Sequence, residues 1–161
     1  MRARIGAYAL AYFGQVRATL DVDIAISVNS ENFNNLLRLL EKNRFTISLE
    51  NLENPYFIVN DQVAGIEIEI WRKLDGVILG EVLNRRLKVT TPNGLKLWII
   101  SPENYIVNKL ARPDRRAVDE EDVASVLREQ ASKLDYEYLY DQAKQARVYE
   151  LLTIQRILTS L

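Results

Sequence analysis

The segment Asp21-Val22-Asp23-Ile24 constrains the fold of this chain more than any other stretch. Val22, Ile24, Ile26 and Val28 alternate with Asp21, Asp23, Ala25 and Ser27, the period of an extended strand. The apolar set must turn to a core, so Asp21 and Asp23 project together from the opposite face. At ~3.3 Å per residue they stand about 6.6 Å apart along the strand. Two unit charges at that distance repel by roughly 2.5 kcal/mol at an effective dielectric of ~20. A cation between them relieves that repulsion; a solvated strand face, screened by water, is the alternative. Ile66 to Trp71 repeats the device, with Ile66, Ile68 and Ile70 on one face and Glu67, Glu69 and Trp71 on the other. If the two strands are sheet neighbours, a third carboxylate joins the aspartates, Glu69 before Glu67; a merely polar face is again the alternative. Three oxygen ligands, completed by water and substrate phosphates, suit the octahedral preference of Mg²⁺.

Composition narrows the chemistry. The 161 residues suit one globular domain, and they include no cysteine and no histidine. Disulfides, thiolate zinc sites, cysteine nucleophiles and Ser-His-Asp catalysis are excluded. Carboxylates remain as the strong metal ligands, which points to Mg²⁺ or Mn²⁺. A net charge of -1 argues against a general nucleic-acid coat protein, while leaving room for a local basic patch. No apolar run approaches the ~20 residues of a membrane span and no secretion-signal pattern opens the chain, so the expected location is cytoplasmic, with no membrane partner.

The expected class is α/β (α+β): a mixed β-sheet with flanking helices, residues 1–100, followed by a helical C-terminal module, 101–161, packed on it as one unit. A short buried helix is expected from Ile5 to Phe13, stopped at Gly14. Ser30 is the expected N-cap of a helix carrying Phe33, Leu36, Leu37 and Leu40 on one stripe. Phe45 to Leu49 and Tyr56 to Val59 read as strands around an Asn51–Pro55 turn. The segment Gly76–Leu83 has no clear assignment. Arg86 to Thr91 and Leu95 to Ile100 form a hairpin about Pro92-Asn93-Gly94. Ser101-Pro102 starts a helix, and further helices are expected over Asp119–Gln130, Asp135–Ala146 and Val148–Leu161.

These motifs, in this order, resemble a known superfamily. Gly6-Ala7, thirteen residues, then Asp21-Val22-Asp23-Ile24 is similar to the signature of the DNA polymerase beta-like nucleotidyltransferases: a Gly-Gly or Gly-Ser pair followed by a D-h-D strand. Arg17-x-Thr19-x-Asp21-x-Asp23 resembles the AbiEii-like branch of small prokaryotic nucleotidyltransferases. Ser101-Pro102-Glu103, Lys109-Leu110, Arg115-Arg116 and Asp119-x-x-Asp122-Val123 are similar to that branch's C-terminal helical motif. The resemblance implies a nucleotidyltransferase fold and transfer of a nucleoside monophosphate from an NTP to a hydroxyl on RNA, tRNA included, or on protein. It also implies a toxin–antitoxin connection with a cognate protein partner. Asp21, Asp23 and Glu69 would hold Mg²⁺ or Mn²⁺, Gly6 and Ala7 would cradle the triphosphate at a helix start, and Arg17 and Lys109 would neutralise phosphate charge. No histidine base is required, because metal coordination and in-line positioning supply most of such catalysis. Two departures stand out: Ala7 replaces the usual second Gly or Ser, and the chain begins almost on the motif.

Other residues carry paired readings. Arg17 contacts phosphate, orients Asp21, or is an exposed loop arginine. Thr19 serves a turn or bonds a carboxylate, the turn being the simpler role. Lys109 reaches the site or is solvated on its helix. Asp119 reads as an ordinary N-cap. Asp122 is a candidate partner of Lys109 or Arg17. Arg112, Arg115 and Arg116 with Lys109, and separately Arg85, Arg86 and Lys88, form basic clusters suited to an RNA backbone or to plain solvent. The competing function is a catalytically degenerate relative that binds a partner, antitoxin-like; a nuclease-like hydrolase is a weaker third.

Overall fold

The alternating segments pair into one mixed sheet. The computed structural model describes residues 1–19, 21–48 and 54–160. In chain order the elements are β1 (Arg2–Arg4), α1 (Gly6–Leu10), β2 (Val22–Ile26), α2 (Ser30–Lys42), β3 (Phe45–Ser48), β4 (Tyr56–Asp61), β5 (Ile66–Trp71), α3 (Leu79–Asn84), β6 (Leu87–Thr90), β7 (Lys96–Ile99), α4 (Pro102–Ala111), α5 (Ala117–Glu129), α6 (Tyr136–Gln145) and α7 (Tyr149–Thr159). The seven strands run in the order β3-β4-β5-β2-β1-β7-β6. β2 pairs in parallel with β5 and β1 with β7, and the other ladders are antiparallel. The mixed sheet flanked by helices is the expected class. The strand end at Leu49, the turn at 51–53 and the helix end at Leu161 lie outside the described residues.

Strand alternation sorts side chains into two cores. Ile24 and Ile26 of β2 meet Ile68 and Ile70 of β5, Phe57 and Val59 of β4, and the Phe33, Leu36, Leu37 and Leu40 stripe of α2. Ala25 turns the other way, into a larger core with Ile5, Leu10 and Phe13, Ile99 and Ile100, and the buried faces of α4 to α7. Tyr105, Ile106, Leu139 and Leu152 are among its fully buried side chains. Burying a side chain of this size removes ~1.5–3 kcal/mol of exposed apolar surface, so the helical segment is held to the sheet mainly by this core.

Several boundaries differ from the sequence expectation. The N-cap of α2 is Asn29, not Ser30, and its side chain accepts from the Asn32 amide at 2.9 Å. The first helix ends at Leu10 rather than Phe13, and residues 11–14 close it with turn hydrogen bonds to Ala7, Ala9 and Leu10. Gly14 does not serve as a left-handed cap; a Cβ there would lie 2.5 Å from Leu10 Cδ1 and 3.0 Å from Ser125 Oγ, so a larger residue would have to displace the Leu10 side chain. β1 was not expected, yet it separates β2 from β7 inside the sheet. α3 resolves the ambiguous Gly76–Leu83 stretch, burying Val82 and Leu83. Ser101 caps α4 on the Asn104 amide with Pro102 in the first turn, as its sequence predicts.

Candidate active site

Register brings the acidic strands together. Asp23 of β2 is the direct partner of Glu69 on parallel β5. Paired residues share a face, so both carboxylates point to the side that carries the large core. Asp21, one residue before β2, lines the same cavity, with Gly6, Ala7, Arg17, Thr19 and Lys109. Glu67 is not in that lining; it pairs with Asn60 of β4, beyond the start of the β2 ladder. Trp71 Nε1 donates to Glu69 Oε2 at 3.1 Å, and the indole is stacked on Tyr56 with centroids 4.5 Å apart, which orients the glutamate.

Glu69 shows the electrostatic consequence. Burial, then a hydrogen bond with Asp23 and the Asp23 charge, push its carboxyl up to about 7, against a smaller opposing effect of the Trp71 donor. The crowding of Glu69 against Asp23 favours the neutral Glu69 carboxyl, and a bound cation would relieve the same repulsion. Among the described residues no group of three ligating side chains stands close enough to hold an ion as placed. The donor chemistry nevertheless fits a hard divalent ion: carboxylate oxygens only, two in contact and a third on the same rim.

Gly6 is explained by the same carboxylates. Its φ is +61°, and a Cβ would fall 1.9 Å from Asp23 Oδ2, so any side chain there would displace Asp23. The glycine makes room for a protein carboxylate, a reason the sequence motif alone does not reveal. The Ile5 amide also donates to the Asp23 carbonyl at 3.1 Å. Thr19 takes the turn role, with Oγ1 accepting from the Asp21 amide at 3.3 Å.

A buried ion network forms the opposite wall. Lys109 Nζ lies 2.6 Å from Asp119 Oδ1 and 3.1 Å from Asp122 Oδ2. Arg17 meets Asp122 through Nε at 3.2 Å and Nη2 at 3.4 Å. Tyr105 donates its hydroxyl to Asp122 Oδ2 at 3.0 Å. Both readings of Asp122 therefore hold: it partners Lys109 and Arg17 together. The N-cap reading of Asp119 is overturned. It sits in the first turn of α5, is 0% exposed, accepts from the Arg116 amide at 3.0 Å, and binds Lys109. Burial alone would raise the Asp119 carboxyl, but the Lys109 hydrogen bond and the Arg116 amide hold it below the ordinary carboxylate range. Sequence reasoning missed Tyr105 here, and also Asn108 and Asp75 in the cavity wall. The Lys109, Arg112, Arg116 run was visible only as a basic cluster.

The site thus sets a carboxylate pair on adjacent parallel strands beside a positive-φ glycine and a helical wall of acid-paired cations. The chain matches, over residues 5–157, the family described as "Nucleotidyl transferase of unknown function (DUF2204)", and it belongs to that family. Among solved structures, the lincosamide antibiotic adenylyltransferase LnuA, lincomycin-bound, is similar in fold: TM-score 0.51, 12% identity, covering 78% of this chain and 85% of that one. No curated protein matches the chain by sequence. No helix among the described residues is long and apolar enough to cross a membrane.

Proposed function

We propose that this nucleotidyltransferase moves a nucleoside monophosphate from an NTP to a hydroxyl group in a divalent-metal-dependent reaction. The observation that carries the reading is the contact of Asp23 with Glu69 at a cavity also lined by Asp21. Asp21, Asp23 and Glu69 would hold Mg²⁺ or Mn²⁺, whose chemistry is to neutralise phosphate charge and lower the pKa of a bound hydroxyl. Trp71 keeps Glu69 turned toward Asp23, and Gly6 keeps the Asp23 carboxylate in place. The backbone at Gly6 and Ala7 faces the triphosphate.

Lys109 is engaged by Asp119 and Asp122, so its part is to fix Asp122, which in turn fixes Arg17 on the rim. Arg17 and the exposed Arg116 are the cations best placed to meet phosphate oxygens. ATP is the first donor to test, because LnuA is named an adenylyltransferase. RNA, tRNA included, and protein hydroxyls are the acceptor classes. The AbiEii-like relationship, a toxin or antitoxin partner and a cytoplasmic location are supported by the sequence motifs and bulk composition alone.

The test is incubation with each α-labelled NTP, Mg²⁺ or Mn²⁺, and total RNA with lysate protein. Label should pass to one acceptor class, and Asp21→Ala should abolish it. Unchanged transfer by Asp21→Ala rejects the assignment. Absence of transfer together with absence of metal-dependent NTP binding by calorimetry favours the degenerate binding module.

A further inference from the structure

The sheet carries a second concave surface that the transfer chemistry does not use. Arg2 and Arg4 of β1, Ile24 of β2, and Lys96 and Trp98 of β7 line a groove across the strands. Lys88, the direct β6 partner of Trp98, and Arg86 extend it to the sheet edge. The Arg86 guanidinium lies 4.5 Å and the Lys88 ammonium 5.9 Å from the Trp98 ring centroid. Trp98 remains 39% exposed. At the other end Arg4 lies 5.1 Å from the ring of Tyr8, itself exposed.

Charge is segregated here. The whole chain has a net charge of -1, yet Arg2, Arg4, Arg86, Lys88 and Lys96 gather on this surface. Among the described residues none of these five makes an ion pair, and the groove lining contains no carboxylate. Elsewhere Arg17 of the site, and Arg112 and Arg115 of the α4–α5 turn, are paired with acids. Lysines on an edge strand also guard against sheet-to-sheet pairing. That account explains Lys88 but not an exposed tryptophan set among cations.

We propose that this groove binds a single-stranded polynucleotide, with the cations tracking its phosphates and Trp98 stacking on an unpaired base. Unpaired phosphate-binding cations interleaved with an exposed aromatic are the two elements such sites combine. A duplex hides its base faces and offers Trp98 nothing to stack on. The groove and the active-site cavity are separate but adjoin through β1 and β2. Arg4 and Ile24 line the groove, while their chain neighbours Ile5 and Asp23 line the cavity. Binding does not depend on metal or NTP, so it stands or falls apart from the transfer reaction.

The experiment is fluorescence anisotropy of the full chain with fluorescein-labelled U15, dT15 and a duplex of equal length, without nucleotide or divalent metal. U15 and dT15 arms separate RNA from DNA as the source. Wild type should bind at least one single strand more tightly than the duplex. Engagement of five cations predicts a loss of roughly 100-fold between 50 and 200 mM salt, at ~0.7 counterions released per phosphate. Trp98→Ala should weaken binding about tenfold, Trp98→Phe should retain most of it, and the double variant Lys88→Glu with Lys96→Glu should lose it. Circular dichroism and melting of the charge variant should match wild type, because both lysines are exposed. Absence of single-strand binding overturns the proposal. So does equal affinity for the duplex with Trp98→Ala unchanged, or equally good competition by polyglutamate, since either reduces the groove to nonspecific charge.

Discussion

At the scale of single residues, the site places function against stability at Asp23 and Glu69. The Glu69 carboxyl rises from 4.5 to about 7 in the fold. A group whose folded pKa is raised stabilises the protein fully below its unfolded value and loses that contribution as pH climbs through the folded value. Metal-free protein should therefore become less stable between pH 4.5 and about 7. Asp23→Asn removes the facing charge. At pH 8 without divalent ions it should melt higher than wild type by a few degrees, about 1 kcal/mol after solvent screening, while losing transfer. Differential scanning calorimetry with and without EDTA checks this; a lower melting temperature for Asp23→Asn in EDTA would contradict it. Gly6→Ala makes the complementary case. Its Cβ would collide with Asp23 Oδ2 and its φ is +61°, so both stability and transfer should fall, by a strain of about 1–3 kcal/mol. Calorimetry with the labelled-nucleotide assay reads both.

At the scale of elements, the network joining α4, α5 and the loop that carries Arg17 should act as one unit. Asp122 accepts from Arg17, Tyr105 and Lys109, so Asp122→Ala strands buried donors, and a cost of ~3–5 kcal/mol is expected by denaturant melting. The acid limb reports on Asp119. Its folded pKa is depressed, so its stabilisation is present above the ordinary value of 3.8 and is lost as pH falls through the folded pKa. The stability gap between wild type and Asp119→Asn should be large at pH 6 and shrink below pH 3.8. A gap that persists in acid would mean that packing, not the Lys109 pair, sets it. The pairing of Asp122 with Lys109 or Arg17 was legible as a candidate, whereas the Tyr105 hydrogen bond and the Lys109–Asp119 pair were not, because they depend on how α4 packs on α5. Strand faces were legible in advance, since β2 and β5 alternate cleanly and all their acids fall on one side. β1 escaped because three residues carry no period, and α3 because it is six residues long, contains Gly80 and has no side-chain cap. Gly6 was legible as a glycine that matters, but its reason, room for Asp23, needed the register.

At the scale of the whole molecule, two surfaces adjoin through β1 and β2: an acid-lined cavity on the helical side and a basic groove across the strands. The central claim is that the acids of the first are there to hold a divalent ion. Uptake of Mn²⁺, followed by electron paramagnetic resonance in the presence of a non-hydrolysable ATP analogue, tests it most directly. Wild type should sequester Mn²⁺ from solution, and Asp23→Asn and Glu69→Gln should each weaken uptake at least tenfold while remaining folded. Equal Mn²⁺ uptake by all three proteins would contradict the account.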